Sequence, residues 1–179
     1  MLRDPAAKRY AQAAFELARD HQELDAWERD LRNLRDVLAV PGTLAFVASR
    51  QADAEAKLGF LQRAAGQPAP LVWNLERLLA AKGRLALLPQ IAEHFQGLLD
   101  DERGVAHAHV ATAVPLADDE RRALAQRLSE LTGKRVDVEV HEVPEMLGGL
   151  IARIGDRLID GSTRSKLIAL KRRLAGGTR

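Results

Sequence analysis

The sequence predicts an α+β chain: an N-terminal six-helix bundle over residues 1–103, followed by a small C-terminal α+β domain over residues 104–179. Three observations carry the prediction. Apolar residues recur at helical spacing through the first hundred positions, and from Ala106 they switch to strict alternation. A glycine-rich stretch from Gly148 to Asp156 then carries a hairpin pattern. With 179 residues, 46% of them hydrophobic, the chain is long enough to bury one core or two small ones.

The first helix is expected over Pro5 to Arg19. Pro5 suits a first turn, and Ala7, Tyr10, Ala11, Ala14, Leu17 and Ala18 trace one face. The second runs from about Gln22 to Ala39 with Leu24, Trp27, Leu31, Leu34 and Leu38 in heptad-like order. So few heptads favour packing within a bundle over a coiled coil. Pro41-Gly42 breaks the chain, and short helices follow at Thr43 to Ala48 and Asp53 to Ala65. Leu71, Leu75, Leu78 and Leu79 form the stripe of a fifth helix that stops at Gly83. Leu88, Ile91, Ala92, Phe95, Leu98 and Leu99 form that of a sixth. The alanine face of the first helix is small enough to admit a partner helix, and equally suited to its own core.

Beyond Arg103-Gly104 the order reads strand, helix, strand, hairpin, helix. Ala106, Ala108, Val110, Thr112 and Val114 alternate before Pro115 stops the strand. Asp118, Asp119 and Glu120 suit the positive end of a helix carrying Leu124, Leu128 and Leu131, with Asp118 as its expected cap and Gly133 as its stop. Val136, Val138 and Val140 alternate with Asp137, Glu139 and His141 as a half-exposed strand. Leu150, Ala152 and Ile154 lead into a two-residue turn, Gly155-Asp156, and Arg157 to Ile159 return antiparallel. Asp160 or Ser162 then caps a last helix with Leu167, Leu170 and Leu174 on one face.

Several function classes are disfavoured. With no cysteine, disulfide scaffolds and thiolate chemistry are excluded. The longest run without Asp, Glu, Lys or Arg, Gly104 to Ala117, is far shorter than the roughly 20 apolar residues that span a bilayer. Met1-Leu2-Arg3-Asp4-Pro5 shows no export or organelle signal, so a bacterial cytoplasmic setting is expected. His107 and His109 share a strand face without an acidic residue or third histidine at diagnostic spacing, and no metal site is expected. Asp160 and Ser162 lack a histidine at motif spacing, and capping explains both. Gly148-Gly149 is not followed by Lys-Ser/Thr, so it is no P-loop; it reads as backbone freedom for a bulge or close turn. No catalytic residue and no cofactor are expected.

Charge is uneven. Residues 153–179 hold eight Lys or Arg against two Asp, a net +6, while 19 basic and 23 acidic side chains leave −4 on the remainder. A basic tail suits nucleic acid, anionic lipid or an acidic protein segment. The low aromatic content, with none in the tail to stack on bases, argues against nucleic acid, which stays as the alternative reading: an RNA-binding protein using the tail.

The stretch from Met146-Leu147-Gly148-Gly149-Leu150 through Asp160-Gly161-Ser162 closely resembles the C-terminal signature of the delta subunit of F-type ATP synthases, the oligomycin-sensitivity-conferring protein of mitochondria. Three further segments match that family in order: Ala6-Ala7-Lys8-Arg9-Tyr10-Ala11, Lys82-Gly83-Arg84-Leu85 and Val110-Ala111-Thr112-Ala113-Val114-Pro115-Leu116. Ala117 departs from it, standing where members often carry a capping Ser.

The resemblance implies a non-catalytic stator subunit, peripheral on the cytoplasmic face of the membrane and attached to it only through the complex. Its helical bundle would receive the N-terminal helix of the catalytic-head alpha subunit in a groove between the first and fifth helices, at Tyr10, Ala13, Ala14, Leu75, Leu78 and Lys82. Its C-terminal domain would hold the peripheral-stalk b subunits through Leu150, Ile154, Leu167, Ile168, Leu170 and Leu174. Gly148, Gly149, Gly155, Asp156, Asp160 and Ser162 would shape the hairpin and its turn.

Overall fold

A computed structural model describes residues 4–155, 157–165, 167, 168 and 171. The chain divides into two compact units between Leu99 and Asp100. That is one helical turn before the Arg103-Gly104 join expected from composition. Within the second unit Asp100 lies 3.3 Å from His107 and Asp101 lies 2.6 Å from Lys134. No helix among the described residues is long and apolar enough to cross a membrane.

The first unit is helical. Its elements are α1 (Pro5–Asp20), α2 (Leu24–Ala39), α3 (Thr43–Ala48), α4 (Ala54–Ala65), α5 (Pro70–Ala81) and α6 (Leu88–Glu102), with a 3-10 turn at Leu85–Leu87 that the apolar pattern did not reveal. Asp4 caps α1, its carboxylate accepting the Ala6 N–H at 2.8 Å, with Pro5 in the first turn. At the other end Gln22 takes φ 58°, and the Glu23 and Gln22 N–H groups reach back to the carbonyls of Ala18 and Arg19. This left-handed stop starts α2 at Leu24 rather than Gln22. The same closure ends α5: Gly83 sits at φ 64°, while Arg84 N–H meets Leu79 C=O at 2.7 Å and Gly83 N–H meets Ala80 C=O.

Trp27 lies near the middle of this core. It stacks on Phe95 with centroids 6.0 Å apart, and Phe95 meets Phe15 edge-on at 5.7 Å. Around them pack Ala11, Ala14, Leu31, Leu34, Leu79, Ile91 and Leu99. The buried arc of α5 is Val72, Leu75, Glu76 and Leu79, so Leu78, expected in the stripe, faces outward.

The second unit is a four-stranded sheet with one helix on it: β1 (Val105–Thr112), α7 (Asp118–Thr132), β2 (Arg135–Glu142), β3 (Leu150–Ile154) and β4 (Arg157–Asp160). The spatial order is β2-β1-β3-β4; β1 and β2 are parallel, joined by α7, and the other pairings are antiparallel. Ala108, Val110, Val136, Ala152 and Ile154 pack with Leu128 of α7. β1 ends at Thr112, so Val114 is exposed rather than part of the alternating face. Ala117, not Asp118, is the N-cap of α7; it has no side-chain acceptor, and Glu120 takes up the Ala117 N–H at 2.9 Å. Asp118 instead opens the helix and pairs with Arg121 at 3.7 Å.

Candidate functional site

The helical unit presents apolar residues on α1 and α5. On α1, Tyr10 is half-buried against the core, while Ala13 and Leu17 are exposed. On α5, Leu78 is 46% exposed, and Lys82 lies in solvent at the helix end. Beside them the Arg84 guanidinium donates to the Tyr10 hydroxyl at 3.2 Å, joining the start of α1 to the loop after α5. An open depression runs there, lined by Asp4, Pro5, Ala6, Arg9, Gly83, Arg84, Ala86 and Leu87.

Two expected groove residues do not face outward. Ala14 is 4% exposed and Leu75 is 9% exposed, and both belong to the interior cluster. An alanine-rich helix faces inward with its smallest residues because they let neighbouring helices approach closely. The outward apolar positions are therefore Ala13, Leu17 and Leu78, and Leu17 is not among the expected groove residues.

In the second unit the hairpin is built on close backbone contact. Gly148 and Gly149 run against Gly161, Ser162 and Thr163, with Thr163 N–H on Gly148 C=O and Gly161 N–H on Leu150 C=O, both at 2.9 Å. A Cβ on Gly149 would fall 2.5 Å from the Gly161 carbonyl oxygen, and its φ of 84° is itself unfavourable for other residues. The double glycine thus lets the antiparallel pairing of β3 and β4 run on past Leu150 at backbone-to-backbone distance. Gly155 takes φ 54° in the turn, and Ile154 pairs with Arg157 across it; Asp156 lies outside the described residues.

Both candidate caps act together. The Asp160 carboxylate accepts the Ser165 hydroxyl at 2.6 Å and the Ser162 N–H at 2.9 Å, while the Ser162 hydroxyl accepts the Ser165 N–H at 3.3 Å. The Ser165 hydroxyl first, and then the bonds from Ser162, hold the Asp160 carboxyl below its ordinary range. Residues 163–165, 167, 168 and 171 are helical.

Of the stalk candidates, Leu167 and Ile168 are exposed. Ile154 is 8% exposed inside the sheet core, and Leu150 is half-buried against that core. Leu170 and Leu174 lie outside the described residues. Leu158 of the hairpin is exposed, and so is Leu147 before it, which is not among the expected contact residues. Leu147 lines a second depression with Val143, Met146, Gly148, Ile151, Ser162 and Arg164.

Comparison with known proteins gives one answer. The family model described as ATP synthase delta (OSCP) subunit matches residues 6–174. An ATP synthase subunit delta of Gemmatimonas aurantiaca is 36% identical over 178 residues, covering 98% of this chain and 96% of the relative. One from Dehalococcoides mccartyi is 34% identical over 171 residues, covering 96% and 94%. A chain in the cryo-EM structure of the Toxoplasma gondii mitochondrial ATP synthase hexamer shares the fold, with a TM-score of 0.73 at 22% identity over 96% of this chain and 98% of that one.

Proposed function

The chain belongs to the ATP synthase delta (OSCP) subunit family, and from that premise we propose how its two units divide the work. It is a non-catalytic stator subunit. The rotor drags the head around, and proton flow yields ATP only if the head is held still. The subunit that holds it must stay bound under load, so slow dissociation matters more than fast association.

In our reading the helical unit receives the amphipathic N-terminal helix of an alpha subunit, and the sheet unit grips the C-terminal helices of the b subunits. The observation that carries this is the span of the family match, residues 6–174, which takes in both units. Exposed Ala13, Leu17 and Leu78, with Tyr10 and Lys82 beside them, support the first contact. Leu147, Leu167 and Ile168, with Arg164 and Lys171 at the rim, support the second. Apolar area would supply lifetime there and the basic residues register. Leu75 and Ala14 would shape the first surface from beneath, and Leu150 and Ile154 the second. We place the subunit at the cytoplasmic face of the bacterial inner membrane, held there through its partners. The RNA-binding alternative is dropped, since the basic tail belongs to a stator subunit.

Surface binding kinetics of the full chain, measured separately against the catalytic head and a soluble b dimer, test the division. Leu78→Asp should weaken only the first contact, and Leu167→Asp with Ile168→Asp only the second. If either variant weakened both contacts equally, or neither, the assignment of surfaces would be wrong.

A further inference from the structure

The outer face of the sheet gathers histidines and carboxylates that lie far apart in sequence. The parallel register sets His109 of β1 directly beside Glu139 of β2, and His141 follows two residues on, on the same side of the same strand. The His109 Nδ1 lies 3.1 Å from one oxygen of Glu139, and the His141 Nε2 lies 3.4 Å from the other. The two imidazoles face one another nearly parallel, with centroids 6.3 Å apart and planes 21° apart. One ligand atom from each residue falls within 4.8 Å of the other two, and all three side chains are open to solvent.

We propose that His109, Glu139 and His141 form a surface site for a divalent transition-metal ion of the zinc class, clamping β1 to β2 and leaving one coordination position open. A tetrahedral ion with bonds of about 2.0–2.1 Å to nitrogen and oxygen spaces its ligands roughly 3.3 Å apart. The two His–Glu separations, each to a different carboxylate oxygen, lie near that spacing. Two imidazoles with one carboxylate suit zinc, copper or nickel, whereas magnesium and calcium want an all-oxygen shell. Backbone pairing fixes two of the three ligands relative to each other, so little ordering is left for binding. Without the ion, Glu139 lies within ion-pair distance of both imidazoles; a bound ion would take the place of that contact and needs the ligating nitrogens free of protons. Arg153 sits opposite His109 in the β1–β3 register, and its charge opposes binding of a cation there.

Calorimetric titration of the full-length protein with zinc chloride at about pH 7.5, above the ordinary histidine range, tests the proposal. One equivalent of zinc should bind saturably, and the affinity should fall in acid, where protons compete with the metal for ligand nitrogen. Glu139→Gln and His141→Gln, folded by circular dichroism, should each lower the affinity about tenfold or more. A His21→Gln, His94→Gln variant should bind as the parent does, and magnesium should not compete. Absence of saturable zinc binding would overturn the proposal. So would single variants at Glu139 and His141 that bind like the parent, or loss of binding in the His21, His94 variant, which would assign the ion to the helical unit.

Discussion

Glu76 and Asp30 line one small cavity inside the helical unit, and the Glu76 Oε1 has no hydrogen-bond partner there. Asp30 is satisfied: its carboxylate accepts the Ala69 N–H at 2.7 Å and the Arg29 guanidinium at 3.0 Å. Glu76, 1% exposed, is not. Burial, with the Asp30 charge adding to it, pushes the Glu76 carboxyl up from 4.5 to about 7.

That shift predicts a pH dependence of stability. Between about 4.5 and 7 the folded chain keeps a proton that the unfolded chain has released. The stability tied to this proton is complete below the lower value and is lost as pH rises through the upper one. The loss is on the order of 3 kcal/mol. Glu76→Gln should therefore flatten the profile and unfold at higher urea than the parent at pH 8, with little difference at pH 5. Equal pH dependence in parent and variant would show that Glu76 does not titrate in this window.

Gly149 and Gly155 both take positive φ but should respond differently to substitution. A Cβ at Gly149 meets backbone at 2.5 Å, whereas at Gly155 it meets nothing within 4 Å. Gly155→Ala should cost only conformational strain, about 1–2 kcal/mol. Gly149→Ala should cost about 3 kcal/mol or more, because two backbones must separate. Thermal unfolding of the two variants gives the comparison.

Ala13 and Ala14 are neighbours on α1 with opposite fates. Ala14→Asp puts an unpaired charge into the core and should destabilise the helical unit by several kcal/mol. Ala13→Asp lies on the exposed side and should leave the melting transition within about 0.5 kcal/mol of the parent while weakening binding to the head. Circular dichroism read beside binding kinetics separates the effects.

Charge and apolar area should contribute unequally at the proposed stalk contact. Reversing Arg164 and Lys171 removes exposed charges worth about 0–1 kcal/mol each, and should mainly slow association at low salt. Leu167→Asp with Ile168→Asp should instead speed dissociation at every salt concentration. If charge reversal abolished binding as completely as the apolar changes, the contact would be chiefly electrostatic.

The helical unit should fold alone. Residues 1–103 contain all of α1 to α6, and the interior cluster around Trp27 and Phe95 lies wholly within them. A cooperative thermal transition in that fragment, followed by helical circular dichroism, is the expected result; a fragment without one would mean that the bundle needs the sheet unit.

By itself the sequence determined the order and type of nearly every element. Helices and strands announce themselves through periods of 3.6 and 2, which a few neighbouring residues suffice to reveal, and the stops at Gly83 and Gly133 are equally local. The family resemblance, carried by short motifs from Ala6 to Ser162, was legible for the same reason. Only the tertiary structure decided which way borderline residues face. Ala14 and Leu75 turn inward and Leu78 outward because the depth of a helix face is set by how its neighbours pack, not by its own spacing. Nor could local spacing bring His109 to Glu139 and His141, or Gly149 against Gly161. The first meeting depends on a parallel register closed through α7 and the second on how far the β3–β4 pairing runs on past Leu150, and neither carries a periodic signal in the sequence.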